Sequence, residues 1–257
     1  MLLAITRAVS AAIAECELTH LERVPIDVEV ARAEHAAYER ALAAAGCEVQ
    51  RLPSPDDHPD AVFVEDTAVV LDELAVITRP GAASRRGETA AVAEALRPHR
   101  VLASIAAPAT LDGGDVLRLG RTLYVGVGGR TDMAGVQQLR ALVAPHGYAV
   151  RPVAFRGALH LKTAVTAVAD DLVLLNPAWV DAATFDGART LAVDPGEPMA
   201  GNALRVGGRV VHGAHFPRTR ARLEAAGLAV VPVPAAELAK AEGGVTCGCL
   251  LVANVRR

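Results

Sequence analysis

Apolar and polar positions follow one order that returns along the chain. From Ala61 the sequence reads AVFVEDTAVV, breaks at Asp72-Glu73 and resumes as LAVITRP, two β-type runs around a short polar turn. A stretch rich in Ala, Leu, Glu and Arg, SRRGETAAVAEALRPH, predicts a helix, and RVLASIA after it predicts a short strand. The order returns at Leu111 with LDGGDVLRLGRTLYVGV, TDMAGVQQLRALVAPHG and YAVRPVAF. It returns at His160 with HLKTAVTAVADDLVLLN, PAWVDAATFDG and RTLAVD, and at Asn202 with NALRVGGRVVHG, FPRTRARLEAAG and LAVVPV. A fifth copy is completed only across the two ends. Its last strand, GVTCGCLLVANV, joins the first, LLAITRAV, with the helix DVEVARAEHAAYERALAAAG and the strand CEVQRLP.

Five strand–turn–strand–helix–strand units give a period of about 51 residues, in the range of repeat architectures. A helix in every unit argues against an all-β propeller, and a hairpin in every unit against an open doubly wound sheet. An open solenoid needs polar capping repeats, and none is visible, so pairing of the last strand with the first predicts a ring. The expected class is α/β, with five pseudo-symmetric ββαβ units around a central axis. No Pro/Ser linker divides the chain, which predicts one domain over 1–257.

The first strand of each unit carries a polar group where a core strand should be apolar: Glu65-Asp66, Asp112, His160, Asn202 and Cys247. Counted from Glu65, the intervals are 47, 48, 42 and 45. Equivalent positions in a ring face the same axis, so these groups should converge at one end of it.

Composition narrows the chemistry. Hydrophobic residues make up 52% and charged residues 21%, enough apolar material for a core and incompatible with disorder. The net charge is −3 and Lys occurs only as Lys162 and Lys240, so neither nucleic acid nor an anionic membrane has a basic patch to grip. No apolar run reaches the ~18 residues of a membrane span. The opening MLLAITRAVSAAIA lacks the cation that precedes the apolar stretch of a signal peptide. Four Cys in a chain of this length do not form a disulfide framework, and the expectation is a soluble, cytoplasmic protein.

A Cys, a His and several carboxylates in one pocket suit nucleophilic catalysis: a thiolate attacks, an imidazole moves protons, and a carboxylate orients the imidazole. The remaining carboxylates select a cation, and that cation favours the thiolate of Cys247. A guanidinium matches carboxylates with paired hydrogen bonds. Cys16 and Cys47 read as small buried hydrophobes, and Asn202 as a backbone-binding residue near the axis.

Six motifs now stand in order: FVED (Phe63 to Asp66), ITRPGAASRR (Ile77 to Arg86), TLDGGDVL (Thr110 to Leu117), GGRT (Gly128 to Thr131), HLKT (His160 to Thr163) and VTCGC (Val245 to Cys249). Together they resemble the dimethylarginine dimethylaminohydrolases, in register from about Asp60 onward. The resemblance implies the pentein fold, an α/β-propeller of five ββαβ units. It also implies hydrolysis of asymmetric dimethylarginine or monomethylarginine to citrulline and the methylated amine, without a cofactor. By that resemblance Cys247 is the nucleophile, His160 the acid and then the base, and Asp112 their acidic partner. Asp66, with Glu65 beside it, binds the guanidinium. Asp60 and the backbones of Leu18 and Ala241 surround the substrate's amino end. Arg85 and Arg130 clamp its carboxylate near the mouth, while anions line the deep end. Leu18, in an irregular segment, suits a lid that excludes water.

Cys249 departs from the family pattern, which has Ser or Thr two residues after the nucleophile. On a strand such positions share a face with Cα atoms ~6.6–7 Å apart, at or beyond the limit for a disulfide. Both thiols with His160 could capture Zn²⁺ as an inhibitor, but a fourth ligand is not evident, and no metal is expected in the mechanism. Rival functions on the same fold are an arginine deiminase, another guanidine or amidine hydrolase, an amidinotransferase, or a non-catalytic ribosome-binding pentein. The Cys–His pair argues against the last, and the short units leave little room for the insertions usual in deiminases and amidinotransferases. The expected partner is a small molecule, a methylated arginine.

Overall fold

Strand pairing divides the chain into five three-stranded sheets, each with one antiparallel and one parallel contact. The computed structural model describes residues 2–55 and 57–253. β1 (Leu2–Arg7) is followed by α1 (Val28–Ala44) and β2 (Cys47–Leu52). The second unit holds β3 (Ala68–Val70), β4 (Leu74–Ile77), α2 (Thr89–Leu96) and β5 (Val101–Ser104). The third holds β6 (Val116–Leu119), β7 (Thr122–Gly126), α3 (Met133–Val143) and β8 (Ala149–Val153). A single turn, α4 (Leu161–Ala164), precedes β9 (Val165–Ala169), β10 (Leu172–Leu175) and β11 (Arg189–Ala192). The fifth run holds β12 (Ala203–Val206), β13 (Arg209–Gly213), α5 (Pro217–Ala225) and β14 (Ala229–Val233). A second single turn, α6 (Ala236–Ala239), leads to β15 (Leu250–Ala253).

Within the sheets of the second unit, the third unit and the fifth run, the polar turn makes an antiparallel hairpin and a helix returns the chain to a parallel third strand; the β9–β10 hairpin is likewise followed by a parallel third strand. Helix ends follow the sequence: Asp27 caps α1 by accepting from the Glu29 and Val30 amides, and Gly46 just beyond it takes φ +97°. β15 pairs antiparallel with β1, Leu2 opposite Ala253, so the first unit is completed by the end of the chain, as its pattern predicts. Asn254 and Val255 of the expected last strand lie outside the described residues.

The core is divided among the seams between units. One cluster joins Leu3, Ile5 and Val252 to Ala75, Ile77 and Leu96, and the next joins Val76 to Leu123 and Val136. Tyr124 and Val153 meet Val165 and Val173; Leu172 and Leu174 meet Val210 and Leu223. The last cluster brings Val211 and Val233 against Ala4, Tyr38 and Leu42, returning the packing to the first unit. Each unit thus buries both sides of its sheet on its neighbours, which lets Ala, Val and Leu suffice with few aromatics.

Two expectations are corrected. The fourth unit has no full helix: PAWVDAATFDG forms only a 3₁₀ turn at Ala182–Thr184, begun by Asp181 accepting from the Ala183 amide and ended near Gly187 at φ +83°. The polar positions also do not lie in the first strands. Glu65 and Asp66 lie in a 3₁₀ turn, Val64–Thr67, before β3; Asp112 precedes another, Gly113–Asp115, before β6. His160 precedes α4, and Cys247 lies in a turn before β15. A strand commits its amides to the ladder, whereas a single turn leaves them free to bind side chains from the next unit. Among the described residues no helix is long and apolar enough to cross a membrane.

Candidate active site

The turns tie neighbouring units together at the site. The Gly114 amide donates to Asp66 Oδ1 at 3.1 Å, the Leu161 amide to Asp115 Oδ1 at 2.9 Å, and the Glu65 amide to the Cys247 carbonyl at 3.1 Å. His160 Nε2 lies 3.0 Å from Asp112 Oδ2, while the Gly81 amide donates to Asp112 Oδ1 at 2.8 Å. The imidazole's other face is 3.6 Å, Nδ1 to Oδ1, from Asp66. Thr131 links Asp112 to Asp115: its hydroxyl accepts from the Asp112 backbone amide and donates to Asp115 Oδ2.

Burial works against protonation of His160, but Asp66, the hydrogen-bonded Asp112 and Asp115 outweigh it and push its pKa up to about 9. The Cys247 thiol moves the other way from reactivity. Burial, then Glu65 and Asp66, push it up to about 12, opposed by the Gly244 amide that donates to Sγ at 3.3 Å. Near neutral pH the site therefore holds an imidazolium beside a neutral thiol. Asp66 resists the desolvation that would raise it and falls to about 2, held ionised by His160 and Arg85.

Seven of the ten expected residues line one cavity: Cys247, His160, Asp60, Asp66, Arg85, Arg130 and Ala241. They come from segments scattered over the chain. Asp112 lies behind His160, fully buried. Leu18 packs half-buried on the apolar cluster that contains Phe63, Ala241 and Cys247.

The family model described as "N,N dimethylarginine dimethylhydrolase, eukaryotic" matches residues 10–185. An N(G),N(G)-dimethylarginine dimethylaminohydrolase of Streptomyces coelicolor is 45% identical over 247 residues, 95% of this chain and 94% of the relative. The chain belongs to the dimethylarginine dimethylaminohydrolase family. A Pseudomonas aeruginosa protein of the same name is 35% identical over 86% of this chain and 88% of its own length. A P. aeruginosa structure of the family, a Cys-to-Ser variant complexed with citrulline, superposes with a TM-score of 0.92 at 32% identity, covering 96% of this chain and 98% of the other. The fold is accordingly that of the penteins.

Within this family framework two placements differ from expectation. Glu65 does not stand beside Asp66 in the cavity; successive residues of a turn point apart. Glu65 instead accepts from Lys162 Nζ and from Thr246 Oγ1, each at 2.6 Å, and faces a separate cavity. Arg85 is not at the mouth. It is 4% exposed, pairs with Asp66 at 2.5 Å and with Glu88 at 2.8 Å, and donates to the Asp60 and Phe63 carbonyls. Two buried carboxylates draw it inward, because the cost of burying charge falls when opposite charges are buried together. Arg130 is half-exposed and reaches Thr19 Oγ1 at 3.4 Å.

Cys249 lines the cavity of Glu65 and Lys162, not that of Cys247. Residues 245–248 form a turn, so the strand rule that puts alternate residues on one face does not apply. All four cysteines are free. Among the described residues the group spaced to hold a metal ion is Asp66, Asp112 and His160, and neither thiol joins it. Asn202 does bind backbone: its amide donates to the Lys162 carbonyl and to Thr246 Oγ1, and accepts from the Thr246 amide. Sequence reasoning passed over Glu88, Asp115, Thr131 and Lys162. The second Asp of Asp112-Gly113-Gly114-Asp115 and the scarcity of Lys were the available signals.

Proposed function

We propose that residues 1–257 form one catalytic domain, an α/β-propeller, that hydrolyses Nω-methylated arginine to citrulline and methylamine or dimethylamine. The observation that carries this reading is the meeting of Cys247, His160 and the Asp66 carboxylate in one cavity, with Asp112 paired to His160 behind it. A substrate guanidinium seated against Asp66 adds the positive charge that the neutral Cys247 thiol lacks. The thiol then loses its proton to solvent, and Sγ attacks the guanidinium carbon. His160, already protonated, gives its proton to the departing amine as the C–N bond breaks, leaving a thiouronium on Cys247. Neutral His160 next takes a proton from water, the oxygen attacks the same carbon, and the C–S bond breaks to release citrulline and the cysteine sulfur.

Arg130, half-exposed at the edge of the cavity, takes the substrate carboxylate. Asp60, with the backbones of Leu18 and Ala241, receives its ammonium. Arg85 serves this reading from behind, holding Asp66 ionised and in place. Glu65 acts through Thr246 and Lys162 rather than on the substrate. No cofactor enters these steps, and four free thiols fit a cytoplasmic setting.

Citrulline release should be measured from arginine, monomethylarginine and both dimethylarginines, with and without an acceptor amine. Release from monomethylarginine and asymmetric dimethylarginine in preference to arginine is expected. Preference for arginine would make the protein a deiminase, and an amidine found on the acceptor amine would make it an amidinotransferase; either result overturns the reading.

A further inference from the structure

Glu242 is a non-glycine residue with φ at +59°, in the left-handed region that L side chains rarely adopt. It follows Ala241 in the wall of the catalytic cavity and stands five residues before Cys247. Its Oε1 accepts three successive amides from the segment between the first strand and first helix: Thr19 at 3.1 Å, His20 at 2.5 Å and Leu21 at 2.7 Å. Consecutive amides turned toward one oxygen form an anion-binding concavity, and here its occupant is a side chain of the same protein. The other oxygen, Oε2, is buried without a hydrogen-bond partner among the described residues. That arrangement stores an incompletely satisfied carboxylate beside a strained backbone, which makes the contact reversible.

The same segment has further anchors, among them Arg23 donating to the Ala14 and Cys16 carbonyls and Leu18 packing beside Phe63 and Ala241. Ser84 Oγ donates to Glu17 Oε1, the Glu17 amide donates to Asp60 Oδ2, and Arg130 reaches Thr19. Glu17 of this segment lines the catalytic cavity together with Glu242, so the segment borders the site, which as it stands has room for about one water molecule.

We propose that Glu242 is the latch of this lid, a positioning residue that joins residues 19–21 to the loop carrying Cys247 and holds the site closed over substrate. The proposal rests on the methylarginine reading for its kinetic arm alone. Glu242→Gln keeps an acceptor of the same shape without the charge, and Glu242→Ala removes both. Hydrogen–deuterium exchange at amides 19–21 should accelerate by about tenfold in Glu242→Ala and less in Glu242→Gln, the scale of losing a hydrogen bond to a charged group. Alkylation of Cys247 by neutral iodoacetamide should accelerate in parallel in the free enzyme. KM for monomethylarginine should rise while kcat stays close to the wild-type value, because lid closure adds binding without touching the reacting atoms.

Unchanged exchange at 19–21 in both variants would overturn the latch. So would a fall in kcat with unchanged exchange, which would place Glu242 in the chemistry. Exchange and alkylation need no turnover, so a protein that failed to hydrolyse methylarginine would lose the functional reading while leaving the latch open to test. Glu242→Gln, with the same size and shape, keeps the test valid if Glu242→Ala does not fold.

Discussion

Cys247 and Cys249 differ by two positions and by everything that decides reactivity. Both thiols are buried and pushed up to about 12, yet only Cys247 shares a cavity with His160 and receives the Gly244 amide. Cys249 lies near the Tyr38 hydroxyl and faces Glu65 and Lys162. Cys247→Ser should therefore abolish citrulline formation, because a hydroxyl stays protonated even beside a bound cation. Cys249→Ser should keep nearly the full rate and cost about 1 kcal/mol of stability, from placing a stronger polar group in a partly apolar wall. A cationic haloacetamidine should label Cys247, and methylarginine should block it. Peptide mapping that finds the label on Cys249, with Cys247→Ser still active, would reverse the assignment. The pairing of His160 with Asp112 followed from the family resemblance, and the positions of both cysteines were legible in the sequence. Their orientation was not, since it depends on the turn at 245–248 replacing an expected strand.

Single turns ahead of the inner strands are the elements that build the site. They were hidden because their sequences, VEDT and LKTA, sit directly against strand-forming runs and are too short to show a helical period. Their close approach leaves no space at Gly114, where a Cβ would stand 2.5 Å from Asp66 Oδ1 and 2.8 Å from His160 Cγ. Gly120, in the β6–β7 turn, has the opposite constraint: open space around it but φ +58°. Gly114→Ala should displace the Asp66–His160 contact and lower kcat/KM by about 100-fold, the scale of an ångström-sized misplacement of catalytic groups. Gly120→Ala should leave the rate alone and lower stability by about 1 kcal/mol through the left-handed backbone. Comparing kcat/KM with thermal midpoint for the two variants checks both; equal rates in Gly114→Ala and wild type would mean that the turns do not set the site.

Across the whole molecule, five apolar seams run from unit to unit and the fifth returns to the first, with β15 against β1 completing it. No seam is unique, so the point at which the chain begins should matter little. Joining residue 257 to residue 1 by a short flexible linker and opening the chain at Gly207-Gly208, an exposed turn clear of the catalytic cavity, should yield an active protein with a modestly lower thermal midpoint. A permutant that does not fold would show that the order of the units, and not only their packing, is required. The sequence by itself determined the five repeats, the joining of its two ends, and the recurrence of a polar group at equivalent places in each unit. These follow from local hydrophobic periodicity and turn chemistry, which a one-dimensional pattern carries in full. Tertiary structure alone decided that Asp66 faces the catalytic cavity while Glu65 turns to Lys162, and that Arg85 lies buried between Asp66 and Glu88. It also decided that Glu242 meets residues 19–21 from the far end of the chain. Those outcomes depend on distances between charged groups remote in sequence, where burial and ion pairing compete, and spacing along the chain does not encode them.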